Sequence, residues 1–291
     1  VLNMSIGDPK HAFPIWIKTV LEKHINEFRQ YPPNDGSPEL LEAISQWIQN
    51  RYGVSIDSIT EVMALNGTRE GLYASLQALC PEFKNGAQSI VLMPNPFYQV
   101  YAGASRISGA DPIFVSSLKK NNFIPAFSNV SKKILSRTSL IYVCSPSNPE
   151  GVSLKLKDWK DLIFLARNNN ASLIVDECYT DIYPDNPPMG VLEACEKLNT
   201  DISNIISFHS LSKRSNLPGL RSGFAVGDKN IITNFKKLRH YCAGQQPIPI
   251  QEAATALWND DKHAEQNREK YKKKFEIAKA IFKNDYGFYT P

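Results

Sequence analysis

Cysteine is scarce in this 291-residue chain and poorly spaced for chemistry. The five, Cys80, Cys144, Cys178, Cys195 and Cys242, are odd in number and form no C-x-x-C pair, which argues against a disulfide framework and a thiolate zinc site. Reduced, mostly buried thiols are expected. His11, His24, His209, His240 and His263 show no metal-ligand spacing, so structural or solvent-facing roles are expected of them. Long apolar runs are missing as well. Leu140–Cys144 and Ile90–Met93 are strand-sized, so no bilayer-spanning segment is expected, and no signal-peptide pattern opens the chain. Nor is there an excess of one charge: 33 basic residues against 29 acidic ones give +4, scattered, with no basic stripe and no helix-turn-helix pattern. Neither a nucleic acid nor a membrane is implied as a partner. No G-x-G-x-x-G follows a strand and no G-x-x-x-x-G-K-[ST] occurs, which disfavours a dinucleotide enzyme and a nucleotide hydrolase. The cytoplasm is the expected location.

What is present is enough apolar residue, 42%, to build a large core. Short β-rich runs at Ser89–Met93, Pro112–Val115, Leu140–Cys144, Ser172–Val175, Asn204–Phe208 and Ser222–Val226 alternate with helical stretches such as Leu156–Asn168. That alternation predicts an α/β fold with a mainly parallel central sheet. Between Phe208 and Ser222 there is no room for a helical crossover, so this pair is expected to be antiparallel. Helices are also expected over residues 14–28 and 39–51, and from Gln251 to about Phe282. The opening Val1-Leu2-Asn3-Met4 and the abrupt close over Asp285–Pro291 both read as interrupted elements, so a chain trimmed at each end is expected.

The chemistry gathers just past the strands, where open α/β sheets bind ligands. Tyr98 follows the first run, Asn148 the third, Asp176-Glu177-Cys178-Tyr179 the fourth, and Ser210-Leu211-Ser212-Lys213 the fifth. Asn66-Gly67-Thr68-Arg69 opens a helix whose free N–H groups suit a phosphate. Each of these alone is an ordinary turn or helix cap. Together they offer an amine for a carbonyl cofactor, a carboxylate for a pyridine nitrogen, an aromatic for stacking, and hydroxyls with a guanidinium, Arg221, for a phosphate.

The ordered set Gly7-Asp8-Pro9, Tyr31 with Gly36, Asn66-Gly67-Thr68, Pro96-Phe97-Tyr98, Asn148-Pro149-x-Gly151, Asp176-Glu177-x-Tyr179 and Ser210-x-x-Lys213 with Arg221 resembles the class I/II aminotransferases, pyridoxal-phosphate enzymes of fold type I. The resemblance implies that Lys213 binds the cofactor covalently and shuttles a proton, that Asp176 pairs with the pyridinium nitrogen, and that Asn148 and Tyr179 bond the phenolic oxygen. Tyr98 would stack on the ring. Gly67, Thr68, Arg69, Ser210 and Arg221 would hold the phosphate, with Ser212 beside them, and Gly7 would lie against the substrate. Tyr31 would reach the phosphate of a neighbouring subunit, which makes a homodimer the expected assembly. Residues 1–30 would begin a small domain, 31–262 form the large cofactor domain, and 263–291 a long helix leading into an incomplete C-terminal small domain.

More narrowly, the wording around Asn66, Asn95-Pro96-Phe97-Tyr98-Gln99-Val100-Tyr101 and His209–Arg221 resembles the succinyldiaminopimelate aminotransferases of lysine biosynthesis, with glutamate and 2-oxoglutarate as the second pair. Arg214 and Asn216, close to Lys213, are candidates for a second substrate carboxylate. Two departures stand out: Glu150 replaces the family's threonine in Asn-Pro-Thr-Gly, and the arginine that binds the substrate's α-carboxylate has no counterpart. The same cofactor set also serves aminotransferases for aspartate, alanine or aromatic amino acids and carbon–sulfur lyases, and the fold serves non-catalytic regulatory modules.

Overall fold

A computed structural model describes residues 7–242 and 244–286. The opening stretch 1–6 and the closing stretch 287–291, on which part of the trimmed-chain expectation rested, lie outside the described residues.

Among the described residues nine strands form, seven of them in one sheet: β1 (Val62–Leu65), β4 (Ile90–Asn95), β5 (Asp111–Ser116), β6 (Thr138–Cys144), β7 (Ser172–Asp176), β8 (Ile205–Ser210) and β9 (Gly223–Gly227). The other two, β2 (Phe83–Lys84) and β3 (Ala87–Gln88), make a small hairpin. The order across the large sheet is β1-β9-β8-β7-β6-β4-β5. All neighbours run parallel except β9, which is antiparallel to both β8 and β1. The short connection through Lys213 thus joins antiparallel partners, as its length requires. β1 has no counterpart in the sequence reading, because Val-Met-Ala-Leu is four residues long, favours no secondary structure, and lies buried along its whole length without alternation.

The sheet is the middle of three layers. Leu92, Ile141, Val143, Leu173 and Val175 share one buried cluster with Ile44 and Ile48 of the Pro38–Tyr52 helix and Leu162 of the Leu156–Asn168 helix. The alternate strand residues, Val91, Met93, Leu140, Tyr142 and Ile174, pack on the other face against Leu72 and Leu76 of the Thr68–Leu79 helix and Phe235 of the Lys229–Cys242 helix. Each fully buried side chain of this kind stabilises the fold by roughly 1.5–3 kcal/mol, so strands apolar on both faces require helices on both.

Local chemistry sets the helix ends. Ser37 accepts the Leu40 N–H at 3.2 Å, Pro38 occupies the first turn, and Gly53 closes the helix at φ 73°. The first expected helix is shorter, Ile17–His24, and continues as a tight 3₁₀ turn over Ile25–Arg29. The helix expected from Gln251 is two: Ile248–Trp258 and Asp261–Tyr286. Asp260 separates them, since its carboxylate accepts the N–H groups of Lys262 and His263 and starts a new helix. Of the five free cysteines only Cys195 is buried. Cys80, Cys144 and Cys178 are half-buried and Cys242 is exposed, which corrects the expectation of mostly buried thiols: the thiols near strand ends border a cleft or the surface instead of the core.

Candidate active site

The C-terminal ends of the parallel strands converge on a cleft of about 470 Å³. Gly7, Thr68, Arg69, Tyr98, Asn148, Asp176, Tyr179, Ser210, Ser212, Lys213 and Arg221, all singled out from the sequence, line it. Gly67 stands behind Thr68 as the helix N-cap. Tyr31 is not part of the lining and is 99% exposed.

Register explains the convergence. Asp176, the last residue of β7, pairs with Cys144 on one side and Phe208 on the other. Gly223 pairs with both Ser210 and Leu65, so the loop bearing Lys213 and the turn after β1 meet at one edge. A Cβ at Gly223 would stand 2.5 Å from the His209 carbonyl oxygen.

At the centre, the Asp176 carboxylate is buried. It accepts the Tyr101 hydroxyl at 2.7 Å and, more weakly, the Cys178 N–H at 3.3 Å. Burial drives its pKa upward, against those hydrogen bonds. No lysine, arginine or histidine pairs with it among the described residues. Tyr101 is absent from the expected site and is positioned from the Gln99–Ile107 helix, flat against Tyr142 with ring centroids 4.4 Å apart. Its three-residue spacing from Tyr98 is the only sequence signal of it. Behind Asp176, the neighbouring Glu177 turns into the core, where it takes the Ser207 hydroxyl, the Val191 N–H at 2.9 Å and His209 Nε2 at 3.3 Å.

Lys213 reaches into the cleft from the one-turn helix Leu211–Arg214. Its ammonium donates to the Gly7 carbonyl at 2.5 Å and lies 5.7 Å from the Tyr179 ring centroid. Partial burial lowers its pKa, raising the share of free amine. Tyr179 is shifted the opposite way, chiefly by burial and secondarily by Asp176, so its hydroxyl keeps its proton, and it receives the Asn148 amide at 3.3 Å.

The rim opposite is built for an anion. Gly67 sits at φ 82° and has no side chain to cap the Thr68–Leu79 helix, leaving first-turn N–H groups open. The Arg221 guanidinium crosses directly above it, so that a Cβ at Gly67 would meet Arg221 Nη2 at 2.1 Å. Arg221 donates to Pro218 O at 2.7 Å and has no carboxylate partner among the described residues. Arg69 donates through Nε to the Tyr98 hydroxyl at 2.6 Å, and Thr68 Oγ1 lies 3.1 Å from Cys178 Sγ.

Residues 1–290 match the family model described as aminotransferase class I and II. The chain belongs to that family. An aminotransferase from Neisseria meningitidis of known structure is 37% identical and superposes with a TM-score of 0.92, over 96% of this chain and 71% of that one. An LL-diaminopimelate aminotransferase from Dehalococcoides mccartyi is 32% identical over 89% of this chain, which spans 65% of that protein's length. The aminotransferase AspB from Helicobacter pylori is 34% identical with a TM-score of 0.90, over 98% of this chain and 74% of that one.

Class I and II aminotransferases use pyridoxal phosphate, and the residues of this cleft fit that group. Asp176 is a buried carboxyl group with no cationic partner among the described residues, Gly67 leaves room where any Cβ would clash, and the amine of Lys213 is the cleft's only one among the described residues.

Arg214, by contrast, does not face the cleft. Its side chain is buried between Asp181 (3.2 Å), Asp261 (2.6 Å) and the Leu257 carbonyl (2.9 Å), over the Trp258 ring. Asn216 is likewise buried and donates to Asn267 at 2.7 Å. Neither is available to a substrate carboxylate, because the loop folds onto the Asp261–Tyr286 helix and both side chains are buried with their donors already engaged there.

Proposed function

We propose that this protein is a pyridoxal-phosphate-dependent aminotransferase that moves an amino group between an amino acid and a 2-oxo acid. The observation carrying this reading is the meeting, in one cleft, of a desolvated lysine amine with a buried carboxylate that lacks a cation. When bound, pyridoxal phosphate supplies an electron sink conjugated to the substrate's Cα.

Lys213 would hold the cofactor covalently and move the proton at the substrate's Cα. Asp176, with the Tyr101 hydroxyl bonded to it, would pair with the ring nitrogen. Tyr179 and Asn148 would bond the phenolic oxygen, and Tyr98 would stack on the ring. The N–H groups following Gly67, with Thr68, Arg69, Ser210, Ser212 and Arg221, would hold the phosphate. Gly7 would lie against the substrate.

The amino donor is a diaminopimelate. The Dehalococcoides relative is named for LL-diaminopimelate, and the wording of the Lys213 and Tyr98 loops supports the N-succinyl derivative. With Arg214 and Asn216 withdrawn, the distal carboxylate has lost its nearest candidates. The test starts from the visible spectrum of the full-length protein with pyridoxal phosphate, which should change on adding glutamate. A donor panel with 2-oxoglutarate follows. One diaminopimelate should exceed aspartate, alanine and phenylalanine in kcat/KM by at least about tenfold, or roughly 1.4 kcal/mol of transition-state discrimination. An unchanged spectrum would overturn the aminotransferase reading, and a win for aspartate or phenylalanine only the donor.

The assembly is a homodimer that shares its sites. Full exposure of Tyr31, with Phe28, Ile25 and Ile15 exposed before it, supports a partner surface on this segment. Mixing Lys213→Ala and Tyr31→Phe subunits should regenerate dimers with one intact site and activity above either parent. Confirmed mixed dimers without recovery would refute sharing.

A further inference from the structure

We propose that Asn267 is a positioning residue for Lys213, holding the lysine's backbone from behind while its amine works in the cleft. This rests on the reading of Lys213 as the residue that binds the cofactor. The two are 54 positions apart in the chain.

Leu211–Arg214 is a single helical turn, so its last carbonyls have no continuing helix to bond to. Asn216 turns the chain away at φ 51°. The amide of Asn267, buried in the Asp261–Tyr286 helix, donates through Nδ2 to both the Lys213 carbonyl at 3.0 Å and the Arg214 carbonyl at 3.1 Å. Its oxygen accepts the Asn216 amide at 2.7 Å and lies 3.4 Å from His11 Nδ1. The side chain cannot rotate without breaking bonds on both ends. His11 also sets its ring edge-on against Tyr271, one turn further along the same helix, with centroids 4.9 Å apart. Four residues before it is Gly7, whose carbonyl receives the Lys213 amine. One amide therefore ties together the lysine turn, the long helix and the N-terminal segment that meets the lysine's other end. Arg214 and Ser215 reinforce the same contact, the latter through His263 at 2.8 Å.

The role predicts a specific defect. Condensation of the Lys213 amine with the cofactor's aldehyde forms a C=N bond, breaks the C=O bond and releases one water, and it needs the amine correctly aimed. Pyridoxamine phosphate carries an amine in place of the aldehyde and binds without that bond. In the full-length protein, Asn267→Ala should weaken pyridoxal phosphate binding by at least about fivefold and slow growth of the visible absorbance, while pyridoxamine phosphate affinity stays unchanged. Equal losses for both ligands would show a merely structural residue, and no loss for either would show no role; both overturn the proposal. If Asn267→Ala fails to fold, Asn216→Gly, which tolerates the left-handed backbone at φ 51° and removes the amide that donates to the Asn267 oxygen, decides by the same pair of titrations: a loss confined to pyridoxal phosphate supports the role and any other pattern overturns it. Failure of the unaltered protein to form a borohydride-reducible bond to pyridoxal phosphate would instead refute the assignment of Lys213 on which the inference rests.

Discussion

Lys213→Ala should lose the borohydride-reducible bond to pyridoxal phosphate and at least about 10³-fold in turnover, since on the proposed function it removes both the nucleophile and the group that moves the Cα proton. The remainder of the cleft should survive. Among the described residues Lys213 makes its side-chain hydrogen bond to the Gly7 carbonyl alone, so its removal leaves the Asp176–Tyr101 pair and the Gly67–Arg221 rim untouched. Noncovalent binding of pyridoxamine phosphate should therefore persist. Measurement of bound cofactor by reduction and mass, alongside turnover, separates the two effects. A reducible bond in the variant would assign the linkage to another lysine.

Asp176→Asn should divide function from stability. An amide cannot stand as counter-ion to a protonated ring nitrogen, and loss of such an electrostatic partner in a dry site costs about 10²–10³-fold in kcat. The cofactor-free protein should move the other way. Burial raises the Asp176 pKa above the ordinary carboxylate value of about 3.9, so the folded state binds its proton more tightly than the unfolded chain does. That contribution is fully present below the unfolded pKa and is lost as pH rises through the folded pKa. The variant has no titrating group at this position and does not incur that loss. The cofactor-free variant should thus be more stable by about 1 kcal/mol at pH 7 to 8, with the difference shrinking as the pH is lowered toward 4. Denaturant unfolding across that range measures it. A variant less stable than wild type at neutral pH would mean that its hydrogen bonds to Tyr101 and Cys178 outweigh the cost of the charge.

Much of this was legible in the sequence because it depends on near neighbours. Alternation of apolar runs with helical stretches implied the layered α/β fold. The gap between Phe208 and Ser222 was too short for a crossover and so required β9 to turn back. Chemically distinctive residues past the strand ends marked the cleft, since parallel strands bring those ends to one edge whatever their spacing in the chain. Tyr98, Asn148, Asp176 and Lys213 could be named on that ground alone.

The remainder depended on which distant side chain fills a given space, and a sequence does not carry that information locally. β1 is a strand because β9 pairs with it across the chain, not because Val-Met-Ala-Leu prefers to be one. Tyr101 meets Asp176 only because the Gln99–Ile107 helix packs over the sheet, 75 residues away in sequence. Arg214 stands beside Lys213 in the chain yet points to the opposite side, because successive residues on a helical turn face different directions and the Asp181 and Asp261 carboxylates await it there. Sequence proximity to Lys213 therefore pointed to a side chain that the fold turns away from the cleft, while Asn267, far along the chain, is a residue that touches the lysine's backbone. Periodicity and chemistry determined the layers and the cleft; tertiary packing alone decided which buried groups are paired, and pairing sets the charge state each can hold.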